Sequence, residues 1–287
     1  MALRMKRHLM SSVPELRIEP TPRRIRALVG TRPVVDTTDA MLVWEPRRLV
    51  PVFAVPTEDL HAELVPAAPD PRQRDLADLP PFLGPEDYGV HTTEGDAFSL
   101  VVDGQELSGA AFRPSDPDLE GRVTLSFTAF TTWLEEEQEL VGHPHDPFKR
   151  IDVLPSSRQV TVALDGVVLA DTTHPTALLE THLPTRWYLP RDDVRMDLLI
   201  PSEHRSTCAY KGHSSYFSLA TGGDEGRDIA WTYPRPLLDA SGVRDQVCFW
   251  SERTDLTVDG SPVRRPVTPW STPEEQRTTG PDLLEFG

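Results

Sequence analysis

The stretch "PTPRRIRALVGTRPVVDTTDAMLVWE", residues 20–45, is answered by "PSSRQVTVALDGVVLADTTHPTALLE", residues 155–180, at a spacing of 135 positions without a gap. Pro20/Pro155, Arg23/Arg158, Asp36/Asp171, Thr37/Thr172, Thr38/Thr173 and Glu45/Glu180 are identical pairs. After one inserted residue in the first copy, "FAVPTEDLHAELV" runs parallel to "WYLPRDDVRMDLL", and further on "AFSL" at 97–100 matches "YFSL" at 216–219. A repeat of this kind means that one supersecondary design is written twice. The reading of either copy therefore decides the fold of both.

Within the repeat, "QVTVALDGVVLADT" alternates apolar with other residues around an Asp-Gly pair, which is the pattern of a two-residue β-hairpin. "AFSLVVDGQELSGAAF" and "SYFSLATGGDEGRDIAWTY" repeat the sequence of strand, Gly-containing turn and strand. "PTED" and "PRDD" place Pro ahead of acids, which suits a single helical turn. The 29 prolines limit longer helices, because each removes a backbone donor. The predicted fold class is mainly β: two tandem homologous small β domains, tent-like antiparallel sheets with a few short helical turns, arranged as a pseudo-dimer.

The predicted layout is a flexible N-terminal arm over 1–19, a first β domain over 20–154, a second over 155–264 and a C-terminal tail over 265–287. The first domain contains the insertion "AAPDPRQRDLADLPPFLGPEDYG", whose prolines read as a surface loop. With 29 Lys and Arg against 45 Asp and Glu, the formal net charge is −16. Such a balance argues against general binding to nucleic acid or anionic membrane, where cations must neutralise phosphate. No run approaches the roughly 20 apolar residues of a membrane-spanning helix. Cys208 and Cys248 have neither zinc-site spacing nor the density of a disulfide framework. These features predict a cytoplasmic protein with no metal and no cofactor, a monomer whose two copies form an internal pseudo-dimer.

"LLETHLPTRWYLPRDDVRMDLL", "CAYKG", "SYFSL", "IAWTYPRPL" and "HPHDPFKRIDVLPSSR" resemble the tandem form of the domain of unknown function 427 family. The resemblance implies an actinobacterial setting and the tent-like fold, and it carries the label nucleotidyltransferase-like without an established reaction. Two-metal nucleotidyl transfer needs paired carboxylates on a strand behind a phosphate-binding loop. Neither Asp192, Asp193 and Asp197 nor Asp255 and Asp259 follows such a loop. "GGDE" at 222–225 reads as a turn, and "HPHD" at 143–146 sets a proline between two imidazoles.

The second copy concentrates Tyr188, Tyr210, Tyr216 and Tyr233 with Trp187, Trp231 and Trp250. Such density fits either a core with polar tips at its rim or an aromatic ligand pocket. Counting back from the shared "FSL", Tyr210 aligns with His91 and Lys211 with Thr92, so the polar cluster belongs to the second copy. The predicted function is small-molecule binding there. Lys211 and Arg186 are read as polar or anion contacts, Tyr188, Tyr210, Trp231 and Tyr233 as walls, and Glu180 and Asp193 as orienting carboxylates. Around His91 and Thr92 the expected counterpart is shallow or blocked. The alternatives are a structural or protein-interaction module, and an enzyme using Lys211 or Cys208 on a small substrate.

Overall fold

The computed structural model describes residues 2–3, 5–68, 75–84, 87–272 and 274–276, and every structural statement concerns these residues. After a short helix α1 (Met5–Met10) come β1 (Arg17–Thr21), β2 (Ile25–Val29), β3 (Arg32–Thr37), β4 (Ala40–Trp44), β5 (Val52–Pro56) and β6 (Glu63–Pro66). They are followed by β7 (Gly95–Val102), β8 (Gln105–Pro114), β9 (Arg122–Leu125), β10 (Thr132–Glu135) and β11 (Gln138–Leu140). A second set opens with β12 (Ile151–Pro155), β13 (Val160–Leu164), β14 (Val167–Thr172), β15 (Thr176–Glu180) and β16 (Arg186–Leu189). It closes with β17 (Leu199–Cys208), β18 (Gly212–Leu219), β19 (Ala230–Thr232), β20 (Val247–Phe249), β21 (Asp255–Val258) and β22 (Ser261–Val263).

Asp-Gly pairs make the hairpins. Asp103-Gly104, Asp165-Gly166 and Asp259-Gly260 all take positive φ at both residues, the geometry that a two-residue turn needs to match strand twist. Val102 consequently faces Gln105, Leu164 faces Val167 and Val258 faces Ser261. After β5 and β16, Pro56 and Pro190 lead into single 3-10 turns at Thr57–Asp59 and Arg191–Asp193.

The first set forms a seven-stranded sheet, β1-β4-β5-β9-β8-β7-β6, and a four-stranded sheet, β11-β10-β2-β3. The second set forms β12-β15-β16-β20-β19-β18-β17 and β14-β13-β21-β22. Each strand of the first pair of sheets thus maps onto the strand eleven places later, in the same order. The fold is mainly β, with antiparallel sheets in two similar halves. Each half has a core drawn from both of its sheets: Ile25, Val35, Phe53, Leu100 and Trp133 in one, Val160, Leu189, Ile229, Val247 and Leu256 in the other.

The chain divides into two compact units between Asp146 and Pro147, not at residue 155. Residues 151–154 belong with the second unit because β12 pairs along its whole length with β15. Residues 17–19, predicted within an N-terminal arm, are strand and pair with β4, and Val13 ahead of them is buried. The insertion after β6 is not simply a surface loop: Leu79 and Leu83 pack with Val90, and Leu83 N donates to Arg47 O at 3.0 Å. Its residues 69–74, 85 and 86 lie outside the described residues, as do 277–287 of the predicted tail. The nearer part of that tail is packed, since Thr268 is buried and donates to Glu252 Oε1 at 2.8 Å.

Candidate functional site

In a strand, successive side chains point to opposite faces, so residues two apart share a face. Four strands of the second unit carry one row across the sheet by register: Tyr188 faces Cys248, Cys248 faces Trp231 and Trp231 faces Tyr216. Tyr188, Tyr216, Trp231, Tyr233 and Cys248 form one buried cluster. Three of its polar tips have partners. Trp231 Nε1 donates to Tyr188 Oη at 3.0 Å, and Ser206 Oγ lies 2.9 Å from Tyr216 Oη.

Charged groups surround this row. Lys211 Nζ donates to Glu180 Oε2, and Lys149 Nζ stands 2.9 Å from Glu180 Oε1 and 5.3 Å from the centroid of the Tyr210 ring. Arg186 forks onto Glu252 at 2.7 and 2.6 Å, with Ser251 Oγ accepting a further bond at 2.9 Å. Ala209, Tyr210 and Lys211 form the loop of the β17–β18 hairpin, where Cys208 faces Gly212. Gly212 takes φ 89° there, a backbone state that a glycine adopts without strain. The break in alternation is what lets Tyr210 and Lys211 both turn inward.

Burial alone would raise the Glu180 carboxyl, but the charges of Lys149 and Lys211 outweigh it and hold it at about 2. Burial would lower the Lys211 ammonium, and Glu180 outweighs that, so Lys211 stays protonated well above the usual lysine range. Burial pushes the phenols of Tyr188 and Tyr233 up, and the Cys248 thiol up to about 12. Glu252 is held below the usual range: burial opposes ionisation, but Arg186 prevails. The cluster is thus a set of satisfied, fixed charges and neutral phenols. A Lys211 locked as an ammonium against Glu180 offers neither an anion contact nor a neutral amine nucleophile.

The first unit solves the same position differently. Glu45 is buried, accepts from Thr92 N at 2.6 Å and meets His91 Nδ1 at 2.8 Å. Arg47 and His182, two residues beyond each glutamate, share φ of 68° and 69°. Arg48 N and Leu183 N donate back to the Glu45 and Glu180 carbonyls. Arg48 therefore stands where the second unit has Leu183. Beside His91 a cavity of about 430 Å3 opens, where the sequence predicted a shallow or blocked counterpart.

Tyr188, Tyr210, Trp231, Tyr233, Lys211, Glu180 and Arg186 are all buried, and the contacts above knit them into a wall. Lys211, read as a polar or anion contact, is 8% exposed and ion-paired with Glu180. Asp193 is engaged elsewhere, accepting from Thr172 Oγ1 at 2.6 Å behind the Pro190 turn. His213 Nδ1 meets Thr207 Oγ1 at 2.9 Å, and His204 packs edge-on against Tyr216. "GGDE" lies in the turn between β18 and β19. Of "HPHD", His143 lines the first unit's cavity and His145 meets Glu135 at 3.5 Å. Among the described residues no group of three or more His, Cys, Asp or Glu is placed to hold a metal ion.

Concave space in the second unit lies next to the predicted cluster. A groove of about 470 Å3 is lined by His204, Tyr216, Trp250, Glu252, Trp270 and Glu275, with Asp228 and Arg253. The ring centroids of Trp231 and Trp250 are 4.6 Å apart, and those of Trp250 and Trp270 5.8 Å. The aromatic row thus continues outward from the core into this groove. Sequence reasoning missed Lys149, Glu252 and Trp270, of which Lys149 was within reach: it lies two positions before Ile151, which faces Glu180.

Residues 152–260 match the model of a family described as a domain of unknown function, DUF427. The match spans the buried cluster from Glu180 to Glu252 and lies wholly in the second unit, so the likeness of the first unit rests on strand order. No curated protein matches the chain. Among the described residues no helix is long and apolar enough to cross a membrane.

Proposed function

We propose that the second unit binds a small organic cation in the groove walled by Tyr216, Trp250 and Trp270. The observation that carries this reading is Arg186, whose guanidinium carbon stands 5.3 Å from the Trp250 centroid and 5.6 Å from that of Trp231. The aromatic row already takes a cation as a neighbour. Ring faces attract cations within about 6 Å of their centroids. Asp228 and Glu275 add carboxylates to a groove lining that also includes Arg253, and a chain of net charge −16 raises the local concentration of cations. The buried ion pairs of Glu180 and Glu252 serve as the rigid backing of the groove. Catalysis is the weaker reading, because Lys211 is held as an ammonium.

The experiment is a titration of the full chain with tetramethylammonium, spermidine and arginine methyl ester, followed by tryptophan fluorescence. A saturable change is expected for at least one of them, weakened tenfold or more in Trp270→Ala. Trp270 is 47% exposed, so its removal spares the core. No saturable response to any of the three, or one unchanged in Trp270→Ala, would sink the reading.

Strand order and the identical residues at a spacing of 135 support reading the first unit as a diverged copy of the matched domain. The free thiols of Cys208 and Cys248 support a reducing, cytoplasmic setting.

A further inference from the structure

We infer that the segment after β22 is a strap, latched by Thr268 onto Glu252, which closes over the cation groove so that strap docking and ligand binding reinforce each other. The coupling rests on the cation reading, whereas the latch rests on the strap's own contacts. The matched family region ends at residue 260. Trp270, Ser271, Thr272 and Glu275, all from beyond it, line the groove together with Tyr216 and Trp250 from the sheet. A cation seated there touches the strap and the sheet at once.

Thr268 is the point of attachment. It is fully buried and stands outside the groove lining, and its Oγ1 donates to Glu252 Oε1 at 2.8 Å. A hydrogen bond to a carboxylate is among the stronger ones a side chain makes. Arg186 holds the same carboxylate from the core with bonds of 2.7 and 2.6 Å. Glu252 therefore keeps its counter-ion when the strap lifts, and the core loses no charge pair.

The strap is also knit to itself. Ser271 N donates to Thr268 O at 2.9 Å, Thr268 N to Ser271 Oγ at 3.0 Å, and Nε2 of the buried Gln276 to Ser271 O at 3.0 Å. These bonds survive undocking, so the strap lifts as one piece. Residues 261–265 are exposed, and 264–265 lie outside any strand, the kind of segment that opens most easily. Arg265 pairs with Asp255 at 2.8 Å between exposed side chains, where an ion pair contributes little. Ligand and latch both favour the docked strap, and two events that share one state promote each other to the same extent.

The test is hydrogen exchange by mass spectrometry on the full chain, read over the strap and over β16 and β20, with and without tetramethylammonium, spermidine or arginine methyl ester. Thr268→Val removes the hydroxyl at nearly constant volume, and Thr268→Ser keeps it. Without ligand, Thr268→Val should speed strap exchange about tenfold and leave β16 and β20 protected, while Thr268→Ser behaves as the native chain. A cation that binds should slow strap exchange in the native chain and bind several-fold more weakly to Thr268→Val. Unchanged strap exchange in Thr268→Val, or loss of protection in β16 and β20 along with it, would overturn the latch. A cation that binds the native chain and Thr268→Val equally, with strap exchange unmoved, would overturn the coupling and spare the cation reading. If none of the three binds and Thr268→Val still frees the strap, the cation reading falls with its coupling, and the latch stands.

Discussion

Lys149 Nζ lies 2.9 Å from Glu180 Oε1, while Lys211 takes the other oxygen of the same carboxylate. One buried anion thus ties the segment ahead of β12 to the β17–β18 hairpin loop. Removing one partner of a buried ion pair leaves a charge without compensation, typically at about 3–5 kcal/mol. Because Lys149 remains, Lys211→Ala should sit near the lower end, at about 3 kcal/mol. Urea unfolding of the variant measures this, and a change below about 0.5 kcal/mol, the range of an ordinary surface substitution, would show that the pair does not hold the loop.

Glu180 also predicts an acid limit to stability. Its folded carboxyl titrates at about 2, below the model-peptide value of 4.5, so between these values the unfolded chain binds the proton more readily. Stability from this group is fully present above pH 4.5 and is lost as pH falls toward 2. Urea midpoints measured from pH 6 down to 3 should fall for the native chain and fall less steeply for Glu180→Gln. Parallel slopes would mean that other carboxylates account for the whole effect.

The β architecture was legible because its signals are local. Asp165-Gly166 announces a turn, and alternation in "VTVAL" announces a strand with one buried face. The candidate site depended on distant relations. Arg186 and Glu252 lie 66 residues apart, and no local pattern pairs them. Residues 209–211 are hairpin loop, so strand alternation says nothing about where Lys211 points. Lys149 was lost because a boundary drawn at Pro155 cut β12 away from β15. The aromatic density in the second copy was read as the walls of a pocket, but density alone cannot tell a buried row from an open wall.

Within that row, Trp231 Nε1 has Tyr188 Oη as its acceptor at 3.0 Å, and both side chains are buried. Tyr188→Phe deletes the acceptor and strands the indole donor, which costs about 1–3 kcal/mol. A double-mutant cycle with Trp231→Phe isolates the pair from the loss of packing. Additive single and double variants would show that the hydrogen bond contributes nothing to the row.

The boundary of the second unit gives the final test. A fragment of residues 147–287 retains β12, Lys149 and the five-residue pairing of β12 with β15, from Ile151 against Glu180 to Pro155 against Thr176. A fragment of residues 156–287 retains every later strand but leaves β15 as an open sheet edge, with unpaired backbone groups along it. It also deprives Glu180 of one of its two cations. The longer fragment should give dispersed amide NMR signals and a single cooperative urea transition. The shorter one should be largely unfolded or aggregated, even though the repeat itself begins at Pro155. If the two fragments unfold at the same urea concentration, β12 and Lys149 are dispensable, and the unit begins where the repeat does.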